Sequence, residues 1–186
     1  MELSRDQAVE LLCRYVKNER MLNHCYATEQ VMRALARRLK GDEESWGIAG
    51  LLHDLDIELV DGDLSTHGLE AERILRHEGL DEDIIDTIVM HNEVVRGSKR
   101  HTPFQHALAA GETITGLIVA TALVYPDRKL TSVKPKSVVK RMKEKAFAAS
   151  VSRENIMECE QTGIPLNEFV EISLSAMIPI SNKLGL

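Results

Sequence analysis

The stretch AGLLHDLD at residues 49–56 ends an apolar segment of helical character with two adjacent candidate metal ligands, His53 and Asp54. Imidazole and carboxylate groups are both common ligands of divalent metal ions. A His-Asp dipeptide also occurs by chance, so its meaning depends on the rest of the chain. Further side chains with donor atoms of the same kind are His24, His67, His91 and Glu112. Six such donors could hold two ions on a helical scaffold.

Composition favours a single helical domain around this stretch. The chain has 186 residues, and 44% of them are apolar, which is enough for a substantial core. Aromatic residues make up only 4%, and the dominance of Leu, Ala, Val and Ile favours helices over a β-sandwich. No strand pair or Asn-Gly hairpin is recognisable. The predicted fold class is therefore all-α.

Helix start and stop signals divide the chain into segments. Ser4 followed by Gln7 resembles a capping box, Gly41 is expected to end the second helix, and Pro103 is expected to start a long one. The helices are predicted at about 4–16, 20–40, 42–54, 66–79 (capped by Ser65 or Thr66), 81–91, 103–124, 136–149, 152–162 and 166–183. We expect one domain over residues 1–186, with a core at about 20–125 and a C-terminal helical extension at about 126–186.

Helical periodicity places the candidate ligands on apolar faces. His24 lies on one face with Val31 and Leu35, and Glu112 lies on one face with Leu108. The same spacing places His67 on a face with Ala71, Ile74 and Leu75, and His91 on a face with Ile84 and Ile88. Each alone could be an ordinary core residue, a histidine with a hydrogen bond or an acid paired with an arginine. Because buried ionisable groups need partners, their coincidence on several helices favours one shared metal site.

Three other histidines are weaker candidates. His77 lies in line with charged residues and is expected at the surface. His101 lies in a polar loop, as a surface residue or a substrate contact. His106 precedes Glu112 on the same predicted helix and could be an extra ligand, or a hydrogen-bond donor to one.

Charge and cysteine usage limit the partners and the location. The net charge of −6 disfavours binding of long nucleic acid. Residues 128–145 carry eight Lys or Arg, which form either a solvated helix face or a positive wall for an anionic substrate. The cysteines form no C-x-x-C pair, the N-terminus is charged, and the apolar run at 114–124 is interrupted and short. We expect a cytoplasmic protein with no membrane partner.

In this order, the histidines and the acid resemble the HD-domain superfamily of metal-dependent phosphohydrolases, in its small HDIG-like branch. The resemblance spans roughly residues 20–125. It rests on His24, AGLLHDLD at 49–56, STHGLEAERIL at 65–75, IVMHN at 88–92 and AAGETITGLIVA at 109–120.

The resemblance implies a helical bundle and a role for each ligand. His24, His53, Asp54 and Glu112 would hold one metal ion. Asp54 would bridge to a second ion held by His67 and His91, which makes His53 and Asp54 the catalytic pair. The donor types favour two divalent ions of Fe, Mn, Zn, Ni or Co.

The implied activity is a metal-dependent phosphohydrolase, either a phosphomonoesterase or a phosphodiesterase, that uses a metal-bound hydroxide. Its substrate would be a small phosphate ester or a nucleotide. Arg96, Lys99, Arg100 and Lys140 are candidates to orient the phosphate. Whether the protein forms a homodimer is left open.

Two departures from the family pattern leave other functions open. The family usually has Asp where this chain has Glu112, and many relatives read HD-x-G-K where this chain reads HDLD. Asp56 thus stands at the Gly position, where an exposed loop cap is the simplest interpretation, and no Lys follows it. The alternatives are a mixed-valent di-iron oxygenase resembling myo-inositol oxygenase, and a non-catalytic nucleotide-sensing module.

Overall fold

The computed structural model describes residues 3–186, and within that range the chain forms helices, turns and loops without a β-strand. The predicted all-α fold is confirmed. The α-helices are α1 Arg5–Tyr15, α2 Glu19–Leu39, α3 Glu43–Leu52, α4 Leu69–His77, α5 Glu82–Met90, α6 Glu93–Arg96, α7 Pro103–Leu123, α8 Pro135–Met142, α9 Arg153–Met157, α10 Leu166–Met177 and α11 Ser181–Leu184. Short 3-10 helices lie at Leu130–Ser132, Glu158–Thr162 and Ile178–Ile180.

Local capping explains where several helices begin. Ser4 and Gln7 form the predicted capping box of α1. Thr102 forms a second capping box ahead of Pro103, so α7 begins where its backbone donors are already satisfied. Asp81 caps α5 with its side chain, as expected.

The structure corrects three predicted boundaries. Lys40, in a left-handed conformation at φ 60°, ends α2, so Gly41 does not have that role. A Cβ on Gly41 would lie 2.8 Å from the Trp46 ring, so glycine permits a close approach there. The fourth helix begins only after Gly68, since residues 53–67 form turns, and α8 stops at Met142 instead of near residue 149.

The core is built around α2, α3 and α7, which pack against one another. The α10 helix packs on α2 and α7, and its Phe169 is among the largest fully buried side chains. Buried apolar residues from α1 to α10 belong to one continuous cluster. The division into core and extension stays a prediction, and its first two residues lie outside the described range.

The apolar run at 114–124 lies in and just after α7, which is longer than the run itself. By length and composition alone α7 could cross a membrane, but 67% of its most apolar window is buried inside the protein. Such burial is expected for the central helix of a helical core. The absence of a membrane partner and the cytoplasmic location stay predictions.

Candidate metal centre

The fold brings all six candidate ligands to one place. His24 lies in α2 and Glu112 in α7, while His53 and Asp54 directly follow α3. The remaining two are His67, in the turn before α4, and His91, at the C-terminal end of α5. Their donor atoms form two groups, His24 with His53 and Glu112, and Asp54 with His67 and His91. Within each group the atoms lie within 4.8 Å of one another.

The carboxylate of Asp54 lies between the two groups. Its Oδ2 is 3.4 Å from Nε2 of His53 and 3.6 Å from Nε2 of His24. Its Oδ1 is 3.1 Å from Nε2 of His67 and 3.6 Å from Nε2 of His91. One oxygen therefore faces each group, which is the arrangement a bridging carboxylate needs.

The second ring nitrogen of each histidine is already engaged. Nδ1 of His53 hydrogen-bonds to the carbonyl of Gly50, and Nδ1 of His91 to that of Ile88. A carbonyl only accepts, so both rings donate through Nδ1. The other two contacts are His24 Nδ1 with the Thr115 hydroxyl at 3.0 Å and His67 Nδ1 with Asp56 at 2.7 Å. The Thr115 hydroxyl donates to the carbonyl of Glu112, so it accepts from His24.

With Nδ1 as the donor, a neutral ring directs the lone pair of Nε2 at the centre of the site. Nε2 of His24 lies 3.1 Å from Nε2 of His53, and Nε2 of His67 lies 2.9 Å from Nε2 of His91. Lone pairs at such distances repel each other unless a proton or a metal ion lies between or beside them. Orientation of Nε2 by a donor contact at Nδ1 is typical of metal-bound histidines. The donor set therefore fits divalent cations.

Burial and ion pairing shift the pKa values of several of these ligands. Burial raises the pKa of the Glu112 carboxyl to about 7, because its charge is poorly compensated. Burial likewise lowers the pKa of His24 to about 4. Burial acts to lower the pKa of His67, but hydrogen bonds to Asp54 and Asp56 outweigh it and raise that pKa to about 9. A proton on His67 thus supplies part of the charge that a metal ion would provide.

Asp56 is not the exposed loop cap that the sequence suggested. It is fully buried and receives the hydrogen bond from His67, while its Oδ2 accepts from the backbone amides of Gly68 and Ala71. Gly68 has φ 102°, a conformation that favours glycine, and offers no side chain to cap α4. Asp56 therefore both orients His67 and caps α4 from a distance.

Arg100 is buried and is not available as a free phosphate ligand. Its Nη1 donates to the carbonyls of Met90 and His91 at the end of α5. Its Nε and Nη2 donate to the carboxylate of Glu158, which also accepts from Nδ1 of His106. Sequence reasoning missed Glu158, since nothing in its local sequence indicates a partner 58 residues away. Arg100 therefore links Glu158, in the C-terminal region, to the end of α5, where His91 lies.

The other predicted phosphate contacts have partners of their own. Arg96, Lys99 and Lys140 pair with Glu72, Glu93 and Glu144, in that order. The side chain of Lys140 is 77% exposed, as expected for a solvated helix face. None of these three cations is among the residues lining the cavity beside Glu112. Their role in substrate binding stays a prediction.

The remaining histidines are accounted for in different ways. His77 and His101 are exposed, and His106 is bound to Glu158. His106 is thus neither in the two ligand groups nor bonded to one of their members, within the described part of the chain.

A cavity of about 270 Å³ lies beside the metal centre and reaches two of the ligands. Its lining includes His24 and Glu112 on one side and residues of the C-terminal region on the other. The polar side chains that line it are Thr113, Ser150, Ser152 and Asn155. Sequence reasoning did not select these residues, because short polar side chains carry no motif that distinguishes them from ordinary loop residues.

Comparison with known proteins adds a family and one distant relative. A family model described as HD domain matches residues 21–123. The chain is also 26% identical, over 151 residues, to a tRNA (cytidine(56)-2'-O)-methyltransferase of Thermoplasma volcanium. That alignment covers 78% of this chain and 43% of the relative, so the chain spans less than half of the relative's length.

Proposed function

Because the chain belongs to the HD domain family, we propose that it is a metal-dependent phosphohydrolase acting on a small phosphate ester. The observation that carries the proposal is the convergence of four Nε2 atoms on the carboxylate of Asp54. HD domains bind divalent metal ions, and the buried histidines and acids here could hold them.

The ligands would divide as the two groups of donor atoms suggest. His24, His53 and Glu112 would hold one ion, His67 and His91 the other, and Asp54 would contact both. Divalent ions at this place would lower the pKa of a coordinated water and neutralise charge on a phosphate group. The extra methylene of Glu112, relative to the aspartate usual in the family, extends the reach of its carboxylate.

The protein's own side chains would place the phosphate. Substrate would enter through the cavity beside Glu112, where Ser150, Ser152 and Asn155 offer hydroxyl and amide donors to phosphate oxygens. The ligands His53, Asp54 and His67 are buried, which strengthens the interaction of that part of the site with an anion. The preference for a small substrate rests on the modest volume of this cavity.

The distant relative does not change this proposal. Its name describes methyl transfer to a tRNA, and more than half of its length has no counterpart in this chain. The alignment covers 78% of this chain, whose grouped histidine and carboxylate side chains favour metal binding. We therefore assign no methyl transfer to this chain.

The test is metal analysis combined with a hydrolysis screen. Protein purified without chelator would be analysed for metal content, then assayed with phosphate monoesters and diesters and added Mn²⁺, Fe²⁺, Co²⁺, Ni²⁺ or Zn²⁺. We expect two ions per chain and release of phosphate or of a phosphomonoester. A mixed-valent di-iron signal with oxygen consumption and no hydrolysis would favour an oxygenase instead. Absence of both activities with every metal would favour a binding module.

A further inference from the structure

A second cavity lies beside the metal centre, between α2, α7 and the C-terminal residues. It measures about 500 Å³ and shares His24 and Gly116 with the smaller polar cavity. Much of its wall is aliphatic, formed by Ala27, Val119, Leu123, Leu184 and Leu186. A polar and an aliphatic compartment therefore meet next to the candidate ligands.

Gly116 stands where the two compartments join. A Cβ at this position would lie 3.3 Å from Cγ2 of Val151, which lines the polar cavity. This distance is shorter than an ordinary contact, so α7 approaches the segment at 150–152 closely at Gly116, and no side chain projects where the two cavities meet. A larger side chain would displace Val151 and project into the place where the two cavities meet.

Arg20, an exposed residue, places a positive charge at the wall of the aliphatic compartment. Arg33, Arg37 and Arg38 lie on the same helix, and each pairs with a carboxylate. Within the described residues, Arg20 forms no ion pair with a side-chain carboxylate. It precedes His24 by four residues, so its Cα lies about 6 Å along the helix on the same face.

The chemistry of the linings indicates one class of substrate. Apart from the imidazole of His24, the described residues that line the two cavities include no aromatic ring on which a nucleobase could stack. An aliphatic group would instead bury apolar surface against Val119 and Leu123. A second anion on that group would meet Arg20, with Asn23 beside it as a further donor.

We propose that the two cavities form one substrate groove, and that its substrate is an aliphatic phosphate monoester with a second anionic group at the far end. This rests on the proposed phosphohydrolase function. The phosphate lies beside Glu112, the aliphatic body passes over Gly116, and the second anion binds Arg20.

The experiment compares three probes: 6-phosphooxyhexanoate, hexyl phosphate and adenosine 5′-monophosphate. With wild-type protein we expect the highest kcat/KM for 6-phosphooxyhexanoate. Arg20→Met should raise its KM about tenfold or more, since a charge-assisted hydrogen bond is lost, and leave hexyl phosphate unaffected. Arg37→Met removes the same charge from the same helix away from the groove and should change neither value.

Two further measurements do not depend on turnover of the probe itself. Calorimetric titration of chelator-treated protein with 6-phosphooxyhexanoate should show weaker binding to Arg20→Met than to Arg37→Met. Gly116→Val should weaken binding of hexyl phosphate while inhibition by inorganic phosphate stays unchanged. Gly116→Ala, checked by thermal unfolding and metal content, replaces it if the valine variant does not fold.

The outcomes separate the two proposals. Preferential hydrolysis of adenosine 5′-monophosphate over both aliphatic esters would contradict the proposed groove but not the proposed phosphohydrolase activity. The absence of a selective effect of Arg20→Met would have the same meaning. Failure to hydrolyse any phosphate ester would contradict the phosphohydrolase. In that case the calorimetric difference between the two arginine variants still decides whether the groove binds the anionic probe.

Discussion

Oδ1 of Asp56 lies 2.7 Å from Nδ1 of His67, and this contact fixes the ring of a predicted metal ligand. The same carboxylate caps α4, so the residue that follows the His-Asp pair by two positions couples the ligand to a helix end. A carboxylate behind a metal-bound histidine orients the ring and raises its basicity. The departure from the family pattern at this position thus has a structural explanation.

Asp56→Asn should weaken metal binding at the position of His67. The neutral amide is a poorer acceptor for the ring, and loss of such a partner typically lowers metal affinity about 10- to 100-fold. Titration against a competing chelator measures the change. Asp63→Asn, which changes an exposed carboxylate of the same loop that accepts hydrogen bonds from Ser65, is the matched control. Equal affinity in both variants would show that Asp56 does not support the ligand.

Glu158→Gln should destabilise the protein more than an equivalent change on the surface. It leaves the guanidinium of Arg100, which is only 4% exposed, without its closest anionic partner. We expect a loss of about 2 kcal/mol in the free energy of unfolding in urea. Glu168→Gln also breaks an ion pair between the C-terminal region and α2, but an exposed one with Arg38, and should cost under about 1 kcal/mol. A larger loss of stability in Glu168→Gln than in Glu158→Gln would argue against a stabilising role for the ion pair between Arg100 and Glu158.

The metal-free protein should lose stability as the pH rises from about 6.5 to about 9. The pKa of His67 is raised to about 9 in the folded protein, so its stabilising charge is fully present below the unfolded value near 6.5 and is lost through the folded value. Thermal unfolding in the presence of chelator measures this trend. Added Mn²⁺ or Zn²⁺ should reverse it, because a metal ion binds the ring more tightly once the proton has left. A flat profile in chelator would contradict the assignment.

Glu112→Gln should remove one metal ion and leave the other. Glu112 belongs to the group with His24 and His53, whereas the group with His67 and His91 keeps its donors. The metal content measured by elemental analysis should therefore fall from two ions per chain toward one. His77→Ala changes an exposed histidine and should retain both ions. Loss of both ions from Glu112→Gln would mean that the two positions fill together.

The sequence predicted what depends on local patterns. Caps and helical periodicity located α1, α5 and α7, and periodic apolar faces directed His24 and Glu112 inward. In α1 and α7, capping boxes and an N-terminal proline act within one helical turn, so neighbouring residues are enough to identify them.

Features that depend on distant contacts were not predictable from one sequence. Asp56 looked like a loop residue, because its partners at the start of α4 are 12 and 15 residues away. Arg100 looked like a free cation, since Glu158 approaches it only in the folded chain. Arg20 was not selected, because a cavity is formed by several segments and leaves no pattern in any of them.

Asp54 offers the most direct test of the metal centre, since one oxygen of its carboxylate faces each group of ligands. The measurement is the metal content of Asp54→Asn, purified beside wild-type protein without chelator and checked for folding by circular dichroism. Loss of both ions, together with loss of phosphate ester hydrolysis, is the predicted result. A folded variant that retains two ions per chain and hydrolyses phosphate esters at the wild-type rate would contradict the account.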